Sequence, residues 1–187
     1  MAMNEKTVVG VAGMPGSGKA TIRKIIEKMG YVAVVMGDEV RAEVERRGLK
    51  PTPGNLGMIM LRLREEYGPA VVAKRCVPKI RSAKTRVVVV DGIRSLHEVE
   101  EFKRHFPDFS LIAIHSSPRT RFHRLFRRRR SDDPQNMKTF MERDSRELRV
   151  GLGSVIATAD DIIVNEGSRS QLIRTVQDVL DGVLAGG

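Results

Sequence analysis

Gly13-Met14-Pro15-Gly16-Ser17-Gly18-Lys19 is the stretch that decides how this chain folds. The run Thr7–Ala12 before it reads as a strand, and Ile22, Ile25, Ile26 and Met29 after it recur at helical spacing. Strand, glycine turn and helix in that order match Gly-x-x-x-x-Gly-Lys, a loop whose backbone N–H groups turn inward around phosphate oxygens. Side chains at Gly13, Gly16 and Gly18 would block that approach, and Pro15 and Ser17 belong to the same cradle. The helix N-terminus adds positive potential, and Lys19 reaches the β and γ phosphates of a nucleoside triphosphate. A dinucleotide fingerprint would need a third glycine where Thr21 stands.

The pattern then asks for Ser or Thr, whose hydroxyl ligates Mg²⁺, and this chain has Ala20. Thr21, the next residue of the cradle, lies about 100° further round the helix. Two readings stay open: Mg²⁺ held through water and other carboxylates, or a nucleotide bound but slowly turned over. Val87-Val88-Val89-Val90-Asp91 supplies one such carboxylate. Four continuous apolar residues suit a central strand buried on both faces, and an acid at its carboxyl edge sits beside the phosphate loop. Asp91 is thus the candidate Mg²⁺ ligand; its alternative is a turn cap with Gly92.

Further strands are expected at Tyr31–Met36, Arg86–Asp91, Ser110–His115 and Asp161–Asn165, with helical patterns between them. Leu172, Ile173, Val176, Val179, Leu180, Val183 and Leu184 form the last apolar stripe. The fold class is α/β: a P-loop NTPase sheet of five parallel strands flanked by helices, one domain over residues 1–187. Pro51, Pro53 and Gly54 separate an Asp38–Arg47 helix from one at Asn55–Tyr67, and Gly151 and Gly153 read as a loop. Hydrophobic residues at 41% and charged ones at 30% exclude a disordered or collagen-like chain. The single Cys76 excludes an internal disulfide, and no apolar run is long enough to span a membrane. Met1 to Lys6 lacks a signal pattern, so a cytoplasmic location is expected. His97, His105, His115 and His123 are scattered without metal-ligand spacing.

Two segments exceed simple strand–helix connections: about 38–82, an acceptor lobe, and about 117–146, a lid. In the first, Asp38 follows the second strand and either caps its helix or faces a ligand at the carboxyl edge. Arg41 lies three residues on, so carboxylate and guanidinium share a helix face, suited to a phosphorylated acceptor. In the second, seven arginines fall within positions 119–130, and the segment carries a local excess of +6 out of a net charge of +10. Arginines closing over a triphosphate stabilise the charge that spreads over its equatorial oxygens. Not all seven can face one triphosphate; Arg124, Arg130 and Arg143 are the chosen candidates. Phe122 and Phe126, four apart, mark the buried side of that helix. A solvated basic helix and a nucleic-acid patch are the alternatives, the latter without a recognisable module.

These residues resemble a family. Gly37-Asp38-x-x-Arg41 looks like the substrate-binding start of adenylate kinases. Asp91-Gly92 with Arg94 is similar to their Asp-Gly-aromatic-Pro-Arg run, one residue shorter and without its proline. Arg130-Ser131-Asp132-Asp133 followed by Arg143 resembles their lid. The tail, Ala159-Asp160 with Asn165, Gly167 and Ser168, looks more like the end of dephospho-coenzyme A kinases. From Val8 to Leu184 the chain resembles an archaeal group of P-loop proteins related to both, in which Ser usually stands where Ala20 does. The resemblance implies the nucleoside-phosphate-kinase fold, ATP with Mg²⁺, and transfer of the γ-phosphate to a nucleotide-like acceptor held by Asp38, Arg41 and Arg94. Lys19, Asp38, Arg130 and Arg143 are then the catalytic candidates, with Arg124 and the loop for ATP. Adenylate-kinase-like and dephospho-coenzyme-A-kinase-like chemistry compete. A rival from another class is a nucleotide-hydrolysing switch acting on a protein or RNA partner.

Overall fold

Five parallel strands in the order β2-β3-β1-β4-β5 form the sheet of this computed structural model, which describes residues 6–130 and 133–185. The strands are β1 (Thr7–Ala12), β2 (Val32–Val35), β3 (Val87–Asp91), β4 (Phe109–His115) and β5 (Asp161–Val164). Each boundary lies within a residue of the expected one, and all five expected strands form. The helices are α1 (Lys19–Lys28), α2 (Met36–Arg46), α3 (Pro53–Tyr67), α4 (Val71–Arg81), α5 (Leu96–His105), α6 (Pro118–Arg128), α7 (Met137–Val150), α8 (Leu152–Ala157) and α9 (Arg169–Ala185). Met1–Glu5, and Ser131 and Asp132 of the lid run, lie outside the described residues.

Alternation along β1 builds the layers. Val8 and Ala12 pack into one apolar cluster with residues of α2, α3, α4, α5 and α8. Val9 and Val11 face the other way, onto Ile22, Ile25 and Ile26 of α1 and Leu172, Val176 and Leu180 of α9. β1 lies between β3 and β4, paired Val11 to Asp91 and Ala12 to Ala113. Its carboxyl end is the point where the chain's crossovers diverge to opposite halves of the sheet, the place where open α/β sheets bind ligands.

Three expected boundaries move for visible reasons. The α2 helix opens at Met36 directly after Val35, so Asp38 sits in its first turn and caps nothing. Pro53 occupies the first turn of α3 rather than preceding it, with Thr52 accepting from the Asn55 N–H. Gly151, at φ 112°, ends α7 and begins α8 in one residue, so the expected loop is a helix-to-helix corner and Gly153 is helical. The segment read as an acceptor lobe folds as α2, α3 and α4, and the segment read as a lid as α6 and most of α7. No described helix is long and apolar enough to cross a membrane.

Candidate functional site

The loop from Gly13 to Gly18 leaves β1 and delivers Lys19 as the first residue of α1. Gly18 sits at φ 109° at the helix N-cap, and a Cβ there would collide with the Asn165 amide. Gly16, at φ 83°, lies so close to α6 that a Cβ would stand 2.8 Å from the Arg121 carbonyl oxygen. These two positions therefore require glycine both for the backbone angle and for space. The Ser17 hydroxyl is buried with no hydrogen-bond partner. Ala20 is exposed and brings no hydroxyl, and Thr21 is half-buried.

The Lys19 ammonium folds back over its own loop, donating to the Gly13 carbonyl oxygen and, at 3.3 Å, to that of Met14. Burial pushes it down to about 8, against the pull of Asp91 and Glu147 and with the help of Arg94 and Arg143. These four charges come from β3, the turn after it and α7. Asp91 ends β3 with its Oδ1 buried and unpartnered. Burial raises its carboxyl pKa, opposed by Lys19, Arg23 and Arg94. An unpartnered carboxylate oxygen beside the phosphate loop fits a Mg²⁺ that arrives with its nucleotide. Among the described residues no group of three or more His, Cys, Asp or Glu side chains could hold a metal, so phosphate and water oxygens would complete the shell.

On the acceptor side, Arg41 and Asp38 pair with each other at 2.6 Å, both side chains more than half exposed. Arg94 is positioned by Glu98, which is fully buried: one carboxylate oxygen accepts from the Arg94 N–H at 2.8 Å and the other from Arg64 at 2.6 Å. The Arg94 guanidinium lies against the Met60 sulfur at 3.1 Å, and its Nε is 3.7 Å from Glu147.

The basic segment divides by partner. Arg121 is 4% exposed: it holds Asp144 of α7 through two hydrogen bonds of 2.8 and 2.5 Å, and donates to the Ser116 and Pro15 carbonyls. Its guanidinium also covers the Phe140 ring at 5.0 Å. The expected buried side of α6 is thereby corrected: Arg121 and Leu125 face inward and Phe126 is 46% exposed. A buried arginine with all three guanidinium nitrogens hydrogen-bonded takes the position that an apolar pattern assigns to phenylalanine. Arg124 donates to the Ser116 hydroxyl and the Asn165 carbonyl at 2.9 Å each, and Asn165 in turn donates to the Ser17 carbonyl at 2.8 Å. The guanidinium chosen for ATP thus braces the loop from outside. Asp133, buried, collects two bonds from Arg128 and the Arg130 N–H, with Arg143 at 3.8 Å. Those partners hold its carboxyl below the ordinary range although burial opposes them. The Arg130 side chain is exposed, whereas Arg143 is partly buried and acts on Lys19.

Two residues of the site were not anticipated from sequence. Arg121 was indistinguishable from its six neighbours in the arginine run. Glu147 had a signal: it stands four residues after Arg143 and so shares its face of α7.

A family model described as an AAA domain matches residues 12–141. A UPF0200 protein of Methanothermobacter thermautotrophicus is 46% identical over 173 residues, covering 92% of this chain and 88% of the relative. Among solved structures, shikimate kinase from Acinetobacter baumannii in complex with shikimate aligns with a TM-score of 0.59 and 15% identity, over 99% of this chain and 97% of that one. A gluconokinase from Sinorhizobium meliloti aligns with a TM-score of 0.54 and 14% identity, over 99% and 94%. The fold is that of P-loop kinases.

Proposed function

This chain belongs to the UPF0200 family, and from that premise and the geometry of its phosphate loop we propose that it is an ATP-dependent kinase acting on a nucleotide-like acceptor. One observation carries the reading: the Lys19 ammonium closes over the Gly13 and Met14 carbonyls with the free Asp91 oxygen beside it. An ammonium held only by carbonyls is ready to exchange them for phosphate oxygens.

The loop amides and Lys19 hold the β and γ phosphates, and Arg124, through Asn165 and Ser116, keeps the loop in shape. Asp91 would hold Mg²⁺, which supplies charge neutralisation at the phosphate oxygens. Arg143 and Arg130 stabilise the transferring phosphoryl group from the lid side, while Asp38, Arg41 and Arg94 bind and orient the acceptor. Catalysis is then positioning and electrostatics.

Ala20 supports a second reading, a slow nucleotide hydrolase that signals to a protein or RNA partner. A coupled ADP-release assay with ATP, Mg²⁺ and a panel of acceptors separates the two. The kinase reading expects release that rises with one acceptor and a Lys19→Ala variant that no longer binds ATP. Slow hydrolysis indifferent to every acceptor would sink it.

A further inference from the structure

We propose that the phosphoryl group is accepted by a hydroxyl that donates its hydrogen bond to Glu147, and that phosphate groups are rejected as phosphoryl acceptors. The proposal rests on the kinase reading and names its acceptor class.

The first observation is a carboxylate in want of a donor. Glu147 Oε2 is buried without a hydrogen-bond partner, and the Arg94 Nε at 3.7 Å is beyond hydrogen-bond reach. A buried acceptor left unpaired costs about 1–3 kcal/mol, so a ligand that donates to it is favoured. The phosphate dianion that a phosphomonoester carries at neutral pH has acceptors only. A hydroxyl carries the missing donor.

The second observation is the charge balance of the acceptor side. A bound phosphate dianion needs guanidinium groups with unspent charge. Here Arg41 is paired with Asp38 at 2.6 Å and Arg64 with Glu98 at 2.6 Å, Arg75 shares Glu43 with Arg46 and Arg47, and Arg94 faces Glu147 across 3.7 Å without a hydrogen bond. Arg62 follows Met60 by two residues, which turns it to the far face of α3 from the side that meets Arg94. A second dianion beside the triphosphate would lose its water and stand against the unpartnered Glu147 oxygen. A neutral hydroxyl meets no such penalty.

The third observation is location. Glu147 stands 3.7 Å from Arg94, three residues past Asp91 at the carboxyl end of β3, and its charge acts on Lys19, so its carboxylate lies at the same edge of the sheet as the phosphate loop. In the reaction the hydroxyl oxygen forms a bond to the γ-phosphorus, and the bond from that phosphorus to the β–γ bridging oxygen breaks. ADP leaves with the bonding pair, and the hydroxyl proton passes to Glu147 and then to solvent. Glu147 is in this sense a catalytic residue, and the Asp38–Arg41 pair binds the remainder of the acceptor.

The test uses the whole protein with ATP and Mg²⁺. The probes are AMP, dephospho-coenzyme A, adenosine, shikimate and gluconate, with products identified by ³¹P NMR. The expected product is a phosphate ester on carbon, and with AMP a ribose-phosphorylated AMP rather than ADP. Glu147→Gln should lower kcat by about 10²–10⁴-fold, bind ATP no more weakly than the wild type, and melt at an unchanged temperature. Glu147→Asp should recover part of the rate. Formation of a phosphoanhydride from AMP overturns the hydroxyl assignment and leaves the kinase reading intact. Ester formation at full rate in Glu147→Gln overturns the role of Glu147. Transfer to none of the probes overturns this proposal and the kinase reading together.

Discussion

At the scale of single residues, Lys19 is both the most legible position in the sequence and the one whose chemistry the structure alters most. Spacing identifies it as the phosphate lysine; only the fold brings Asp91, Glu147, Arg94 and Arg143 around it and lowers it to about 8. Glu147 was hidden because sequence spacing reveals a shared helix face but not what that face meets. A titration follows from the lysine's position. Below pH 8 the empty loop already carries the charged ammonium, so triphosphate binding moves no proton. Between pH 8 and the ordinary lysine value the empty loop is neutral, while a bound triphosphate stabilises the ammonium, so binding takes up as much as one proton. ATP affinity should fall by close to tenfold per pH unit in that window. Calorimetry at pH 9 in two buffers of different ionisation enthalpy measures the uptake, and Lys19→Arg, always charged, should abolish it. Equal uptake in both proteins would assign the proton elsewhere.

At the scale of elements, the strands were legible because continuous apolar runs such as Val87–Val90 have few alternatives, whereas the helix ends after β4 were not. The end of α6 shows why: its C-cap is Arg129 in the left-handed region at φ 53°, with no glycine to mark the stop. Within that helix Arg121 looks like a solvent-facing cation and is instead the bolt between α6, α7 and the phosphate loop, through Asp144 and the Pro15 carbonyl. Removing one partner of a buried, doubly bonded ion pair costs about 3–5 kcal/mol, because the other is left uncompensated. For a chain of this size each kcal/mol lowers Tm by about 2–4 °C. Arg121→Ala should therefore melt about 6–20 °C lower. Arg124→Ala, which loses bonds to neutral oxygens, should fall by less. Thermal denaturation of Arg121→Ala, Asp144→Ala and the double variant reads the coupling. Additive losses would mean that the two side chains act independently.

At the scale of the whole molecule, the +10 net charge is spread less simply than its sequence position implies. Within 117–146 Arg121 and Arg128 are paired inside the fold with Asp144 and Asp133, which the +6 excess already counts, while the acceptor side carries its own web of buried carboxylates: Glu39, Glu43, Glu98 and Glu101 are each at most 9% exposed. Composition could not reveal this, because a count of charges is blind to which ones face each other. Glu43 is the centre of the web, bonded to Arg46 at 2.6 Å, Arg47 at 2.7 Å and Arg75 at 3.0 Å, and so joins α2 to α4. Hydrogen bonds from Arg46, then from Arg47 and Arg75, outweigh its burial and hold its carboxyl at about 2. A carboxylate depressed in the folded state contributes stability that is fully present above its ordinary value of 4.5 and lost as pH falls toward 2. Glu43→Gln should lower unfolding stability at pH 7 by about 3 kcal/mol. As pH drops below about 4.5, the gap from wild type should narrow by about 1.4 kcal/mol per pH unit. Urea denaturation at pH 7, 5 and 3 measures both quantities. Two profiles that stay parallel to pH 3 would show that Glu43 is not held below its ordinary range by the arginines around it.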